Sequence, residues 1–287
     1  MEKTKVDVCF MTLTVNLLHF NESLKLRVVR CNEVFCESCG YSKDEIINWT
    51  EKENKPLNKS VYKMILSGDC GDITTPGQFV NIKLNGLYLR RPISVCDRDG
   101  DRLTIIYKVV GKGTEQMSRM ESGEELDILS GLGNGYDTSK SGERPLLLGG
   151  GVGVPPLYML SKKLISEGKK VSVVLGFNKA DEAFYEKEFC ALGCDVTVTT
   201  ADGSYGTKGF VTDALPTEYS YFYTCGPEPM LQAVYKATKT SGQFSFEERM
   251  GCGFGACMGC SCKTVTGFKR ICKDGPVLVK EEILWEK

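Results

Sequence analysis

Four cysteines late in the chain have the types and spacing that most directly imply chemistry. Cys252, Cys257 and Cys260 read C-x4-C-x2-C, and Cys272 follows after eleven intervening residues. Three thiolates on one turn, with a fourth from a later segment, is the plant-type [2Fe–2S] pattern. The glycines at 251, 253, 255 and 259 suit it, because a loop wrapped around a sulfide-bridged cluster needs unusual φ values and N–H groups turned towards sulfur. Structural zinc would show two C-x2-C pairs about 15–20 residues apart, whereas here a single pair precedes a lone Cys272. A Rieske centre needs two histidines on one iron, and the chain has one, His19. Disulfides, or buried small hydrophobes, are the plainer reading, and four spaced cysteines amid glycines argue against it. Cys262 falls outside the pattern and is treated as a bystander.

A second group lies in a stretch of short alternating runs, at residues 61–66, 79–84 and 103–110. Strands at this spacing without helical periods between them predict a small antiparallel barrel beginning near Trp49. Within it, Arg91-Pro92-Ile93-Ser94 sets a cation beside a proline, a stiff placement suited to gripping a diphosphate in a forked geometry. Ser94 is placed to reach a flavin ring atom. Tyr107 and Lys108, within the last run, join the candidate cofactor-binding set. Gly111-Lys112-Gly113-Thr114 is then a glycine turn running into a helix, whose N–H groups form an anion site. Arg-Pro is common and G-x-G-T can be an ordinary helix start, so it is their order and spacing that make them a pair.

A third group begins with the apolar run at 145–148, which leads into Gly149-Gly150-Gly151-Val152-Gly153 and a helix expected over 157–167. Strand, glycine turn and helix in that order is how an α/β sheet holds a dinucleotide pyrophosphate. It is not the strict G-x-G-x-x-G, since Pro155 and Pro156 occupy the third-glycine region. A strand at 171–176, a helix at 181–192, a strand at 195–199 and the Tyr221–Cys225-Gly226-Pro227 strand and turn follow. This alternation predicts a doubly wound parallel sheet with its ligand beyond the carboxyl ends of the strands. Residues 177–181 offer no arginine for a 2′-phosphate, which favours NAD over NADP, although Lys179 is a cation that could substitute.

At 287 residues the chain is long enough for two domains and a small third. A formal charge of −1 argues against binding nucleic acid or membrane surfaces through bulk electrostatics. The 14 cysteines are dispersed through a long chain, which suits a reducing cytoplasm better than a secreted disulfide scaffold. Asp7, Thr12, Thr14 and Asn16 interrupt the mildly apolar residues 6–18, with no small-residue cleavage site after them, so a signal peptide is not expected. No apolar run is long enough to predict a membrane span. Cys31, Cys36 and Cys39 repeat the C-x4-C-x2-C spacing. Cys9 or Cys70 would have to supply a fourth ligand, and Gly40 is the only glycine nearby. On Asn32, Phe35, Gly40, Tyr41, Ser42 and Glu45 this segment resembles the strand–helix core of a PAS sensor domain, and a loosely packed extension is the plainer reading.

The order of barrel, nucleotide sheet and cysteine loop resembles the ferredoxin–NADP reductase superfamily. Residues 50–287 resemble more closely the electron-transfer subunits of type B dihydroorotate dehydrogenase. The likeness rests on Arg91–Ser94, Gly111–Thr114, Gly131-Leu132-Gly133-Asn134-Gly135, Gly149–Gly153, Cys225-Gly226-Pro227 and the cysteines through Asp274-Gly275-Pro276. It implies an FAD-binding antiparallel barrel at 49–140, a doubly wound NAD-binding sheet at 141–242 and a [2Fe–2S] module at 243–287, after an N-terminal extension at 1–48. It also implies a partner catalytic subunit that carries FMN and oxidises dihydroorotate in pyrimidine biosynthesis, two copies of each chain assembling together. By the same resemblance Arg91 neutralises the FAD diphosphate, Ser94 meets the isoalloxazine edge, and Gly111, Gly113 and Thr114 donate to phosphate oxygens. Gly149, Gly150, Gly151 and Gly153 admit NAD, and Cys225 stands at the nicotinamide as the catalytic contact. Competing expectations are the flavin subunit of another ferredoxin- or sulfide-dependent NAD(P) oxidoreductase, and a redox sensor.

Overall fold

The computed structural model describes residues 5–8, 11–14 and 48–285. The chain divides into two compact units, Met1–Asn48 and Trp49–Lys287. In the first, β1 (Lys5–Val8) and β2 (Met11–Thr14) pair antiparallel. Cys31, Cys36, Cys39 and the PAS-like residues lie outside the described residues.

The second unit opens with β3 (Asn48–Pro56), β4 (Val61–Ser67), β5 (Phe79–Ile82), β6 (Arg91–Asp99) and β7 (Arg102–Lys108). A short helix, α1 (Lys112–Ser118), and β8 (Glu125–Leu132) follow. The six strands β3–β8 close into a barrel in the order β3-β4-β7-β6-β5-β8, as the alternating runs predict. Met64 and Leu66 of β4 and Leu103 and Ile105 of β7 are buried at the two-residue spacing of a pleated strand. The expected run to residue 110 stops at Lys108, because the Thr114 hydroxyl accepts the Val110 N–H at 3.0 Å and bends the chain into α1.

The nucleotide sheet is built from β9 (Pro145–Gly150), α2 (Pro156–Ser166), β10 (Ser172–Phe177), α3 (Glu186–Ala191), β11 (Asp195–Thr200) and β12 (Thr207–Lys208). It continues through β13 (Tyr221–Cys225), α4 (Glu228–Ala237) and β14 (Gly242–Ser245). All six residues of β9 are buried, as expected for a central parallel strand covered on both faces. Leu147 packs with Leu157, Leu160 and Leu164 of α2. Leu146 and Leu148, of opposite parity, pack with Leu231 and Val234 of α4. The helix expected over 181–192 is shorter. Tyr185 adopts a left-handed φ of 68°, and Phe184 and Tyr185 both turn into the core. Tertiary packing overrides the local helical pattern there.

The last segment forms a hairpin of β15 (Ser261–Thr264) and β16 (Gly267–Arg270), then β17 (Val277–Val279). β17 pairs antiparallel with β14, and the seven-stranded order is β12-β11-β10-β9-β13-β14-β17. Cys260, Ile271, Cys272 and Leu278 share the core that holds Leu146, Leu148 and Phe79. The cysteine segment is therefore packed on the sheet and on the barrel together. Among the described residues no helix is long and apolar enough to cross a membrane.

Candidate redox site

Two of the predicted turns meet at the carboxyl ends of β9 and β13, which are adjacent strands. A Cβ on Gly153 would run into the Cys225 carbonyl. One on Gly226 would sit 3.2 Å from the Gly150 nitrogen, and one on Gly150 would sit 3.2 Å from Pro227 Cδ. At Gly153 the opposing backbone leaves no room for a side chain, and little is left at Gly150 and Gly226. Beside them opens a cavity of about 540 Å³ that Gly150, Gly151, Lys108, Glu182, Phe210 and Met230 help to line, a volume suited to a cofactor. A larger hollow of about 600 Å³, lined by Arg144, Tyr219 and Lys239, contains none of the expected site residues. At the rim of the first cavity Asn178 Nδ2 donates to Glu182 Oε2 at 2.8 Å. Lys179, the one cation that could have substituted for a 2′-phosphate arginine, is paired with Asp181 at 3.2 Å. The Cys225 thiol bonds Ser245, and burial pushes its pKa up to about 12. It is thus a neutral contact rather than a thiolate nucleophile.

Tyr107 departs from the expected set. Its ring is buried in the barrel, stacked on Tyr62 with centroids 5.9 Å apart, and its hydroxyl donates to Asn54 Oδ1 at 2.9 Å. Burial raises its pKa above the ordinary 10.0. That side chain serves the barrel, whereas its neighbour Lys108 faces the cavity.

Arg91 and the Gly111 turn come together as their order suggested. A Cβ on Gly113 would lie 2.9 Å from Arg91 Cζ, and Arg91 Nη1 also donates to the Leu89 carbonyl. Adjacent Arg90 is already used: it forks onto Asp127 at 3.1 and 3.2 Å and reaches the Asp127 carbonyl at 3.0 Å. Of the two arginines, Arg91 is thus the one left to the glycine turn. Thr114 is less available than expected, because its hydroxyl takes the Val110 and Gly111 N–H groups at 3.0 and 3.3 Å and donates to the Gly111 carbonyl at 3.1 Å. It shapes the turn. On β6 and β5, Pro92 stands opposite Asn81, Ile93 opposite Val80 and Ser94 opposite Phe79.

The four thiols lie in a row. Cys252 contacts both Cys257 and Cys272, and Cys272 also contacts Cys260. Among the described residues no three such side chains are arranged around a single metal ion. The contacting pairs Cys252 with Cys257 and Cys260 with Cys272 offer two thiols to each iron of a two-iron cluster. Backbone N–H groups of Ala256 and Cys257 point at the Cys252 sulfur (3.2 and 3.5 Å), that of Gly259 at Cys257 (3.4 Å) and that of Cys272 at Cys260 (3.4 Å). The neighbouring Cys272 thiol, and after it backbone N–H donors, pull the Cys252 pKa down to about 4. The donor set and its N–H shell suit the cluster that the spacing predicts.

Gly253 and Gly255 have φ of 83° and 92°, a region that glycine enters without strain. Cys260 and Cys272 are buried, whereas Cys257 is exposed between Phe254 and Met258, themselves 44% and 54% exposed. Arg270 clamps the loop, donating to the Gly255 carbonyl at 2.9 Å while its Nε bonds Asp274 Oδ2 at 3.0 Å. The charge and hydrogen bonds of Arg270 hold the Asp274 carboxyl below its usual range. Sequence reasoning missed Arg270, whose only signal is its place two residues before Cys272. Cys262 is not in the row of thiols, and burial raises its pKa.

An antiparallel barrel on a nucleotide-binding sheet, with a thiol row between them and the surface, defines a reductase of the ferredoxin–NADP type carrying an iron–sulfur module. Solved structures share the architecture. The NADH-dependent reduced ferredoxin–NADP oxidoreductase of flavin-based electron bifurcation aligns with a TM-score of 0.74 at 28% identity, over 82% of this chain and 89% of that one. A Neisseria gonorrhoeae ferredoxin NADP+ reductase with bound FAD and NADP aligns at 0.59 and 16% identity, over 66% of this chain and 89% of its own, which speaks to fold alone. Residues 147–236 match the oxidoreductase NAD-binding domain. Residues 247–284 match the iron–sulfur cluster binding domain of dihydroorotate dehydrogenase B.

Among curated proteins, the dihydroorotate dehydrogenase B (NAD(+)) electron transfer subunit of Geobacillus sp. (strain WCH70) is 42% identical over 250 residues, covering 82% of this chain and 97% of that protein. The subunit of the same name from Fusobacterium nucleatum subsp. nucleatum is 43% identical over 256 residues, covering 83% and 98%. The chain belongs to the family of dihydroorotate dehydrogenase B (NAD(+)) electron transfer subunits. It is an NAD-linked oxidoreductase subunit, and an electron transfer subunit implies a separate catalytic chain as its partner.

Proposed function

We propose that this chain carries electrons between NAD and an FMN-bearing catalytic subunit that acts on dihydroorotate. In this reading residues 49–140 hold FAD, 141–242 hold NAD and 243–287 hold the cluster. Bound FAD would supply the exchange between two-electron and one-electron chemistry, and the [2Fe–2S] cluster would supply the one-electron relay. The residues do the positioning. Arg91 neutralises a diphosphate at the Gly111–Gly113 turn, and Ser94 contacts the ring edge from the same strand. Gly150, Gly151 and Gly153 let a dinucleotide approach the ends of β9 and β13, and the neutral Cys225 thiol packs beside the reacting ring. Asp181 occupies Lys179 and Glu182 adds a carboxylate at the rim, both of which favour NAD over its 2′-phosphate.

The observation that carries the reading is the packing of the thiol row. Its buried members share a core with the nucleotide sheet and with Phe79 of β5, and β5 pairs with the Arg91–Ser94 strand. Exposed Cys257, between Phe254 and Met258, is then the exit. The catalytic subunit docks on this edge, two copies of each chain assemble, and the complex works in the cytoplasm. Anaerobic co-expression with an FMN-bearing catalytic chain tests this. The complex is expected to form NADH from NAD and dihydroorotate, whereas this chain alone passes NADH electrons only to artificial acceptors. Purified protein with neither flavin bands nor iron–sulfur absorption would end the reading. Reduction of ferredoxin but not of the FMN subunit would move the chain to another oxidoreductase.

A further inference from the structure

One side chain that belongs to neither motif stands between the flavin strand and the cysteine loop. Asn81, in β5, is 1% exposed. Its Nδ2 donates to the Cys252 carbonyl at 3.4 Å. Its Oδ1 is buried and has no donor among the described residues. An unpaired buried oxygen is costly to folding, so a residue of this kind needs a reason to be polar.

The register supplies one. Asn81 faces Pro92 and Phe79 faces Ser94 across the antiparallel β5–β6 ladder. Opposite residues share a face of a sheet, as do residues two apart on one strand. Asn81 and Ser94 are therefore diagonal neighbours on one face, about 7–8 Å apart. That is the face of Phe79, which packs with Met250, Cys260 and Cys272. At the same Nδ2 end, Gly253 lies so close to the carboxamide that a Cβ there would collide with it. The strand itself is held, because Arg90 reaches the Asn81 carbonyl at 3.4 Å while forked onto Asp127.

We propose that Asn81 is the positioning residue for the electron step between flavin and cluster: its carboxamide fixes the Cys252 carbonyl relative to Ser94 and sets an unpaired dipole beside the cluster loop. The separation of the two centres and the cluster potential both depend on it. The proposal rests on the function proposed above, and the wild-type complex is its control. If wild-type protein lacks the iron–sulfur signal, that function fails. If wild type has it and the variants match wild type, only the role of Asn81 fails.

Two variants test it in the anaerobically purified holoenzyme complex. Asn81→Leu keeps the volume and removes both polar ends. Asn81→Asp keeps the shape but sets a carboxylate oxygen against the Cys252 carbonyl and adds negative charge. Stopped-flow reduction by NADH resolves the flavin and cluster phases, while potentiometry with electron paramagnetic resonance reports the cluster. In Asn81→Leu the cluster phase should slow relative to the flavin phase by about tenfold, the loss of one hydrogen bond. Iron content should be kept, the resonance line shape should change, and thermal stability should be unchanged or higher because the unpaired oxygen is gone. In Asn81→Asp the cluster potential should shift to a lower value than in wild type. Wild-type phase ratios and potentials in both variants would overturn the proposal. So would loss of iron from both, which would make Asn81 a mere holder of the loop. Asn81→Leu decides the question alone if the charged variant does not fold.

Discussion

The carboxyl edge of the nucleotide sheet and the cysteine loop are both rich in glycine, and glycine does opposite jobs in them. At the sheet edge it removes side chains so that two turns can touch, Gly153 lying against the Cys225 carbonyl. In the loop it supplies left-handed backbone, at Gly253 and Gly255. The sheet edge is anchored by buried strands on either side, and its cavity is lined from several of them and from the turns that follow. The loop is tethered by a few long side chains, Arg270 and Asn81 among them, and leaves Cys257 exposed. A large organic cofactor calls for a preformed cleft. A small inorganic one calls for a wrapping backbone, open where electrons leave.

If the two regions are separable in this way, damage to each should be distinguishable. Cys272→Ser should have the largest effect: loss of iron and a fall of about a hundredfold or more in electron delivery to the catalytic subunit, with NADH oxidation by an artificial acceptor falling far less. Iron analysis and paired assays check it, and equal loss in both assays would break the comparison. Gly153→Ala should do the reverse. A methyl group forced against the Cys225 carbonyl costs about 1–3 kcal/mol, so the KM for NADH should rise about tenfold to a hundredfold with iron content unchanged. Arg270→Ala should act more mildly, releasing iron to a chelator about fivefold faster without altering flavin content. The smallest effect is one of pH. The folded Cys225 thiol titrates above the ordinary 9.0, so the contribution of its neutral form is intact below pH 9 and fades as pH rises towards about 12. Peptide-mapped alkylation of Cys225 should stay slow up to pH 9 and rise only beyond it. A half-maximal rate near 9 would show that the sheet edge is more open than described.

How far the sequence reveals these regions follows from the range of the contacts. The Leu146–Leu148 run and its glycine turn are local signals, and β9 begins where they predict and runs two residues further, into Gly149 and Gly150. The choice of Arg91 over Arg90 is also readable, from the proline beside it. The structure adds the reason: Asp127, far along the chain, already holds Arg90. Asn81 and Cys252 are 171 residues apart, and no local pattern joins them. The short α3 was unreadable for a related reason, since the left-handed turn at Tyr185 serves ring packing with Tyr158 and Phe189. The partner of the Tyr107 hydroxyl was likewise unreadable, because strand alternation does not show that it meets Asn54, 53 residues away.

β17 has a bearing on biosynthesis. It lies beyond Cys272 in the chain, yet it completes the edge of a sheet whose other strands all emerge earlier. During translation, β14 presents unsatisfied backbone groups to other polypeptides until Val277–Val279 leaves the ribosome. By then all four cysteines are already available to an iron donor. A nascent chain stalled before residue 277 therefore carries an open, adhesive flank, and its removal falls to the chaperones and proteases that recognise such surfaces.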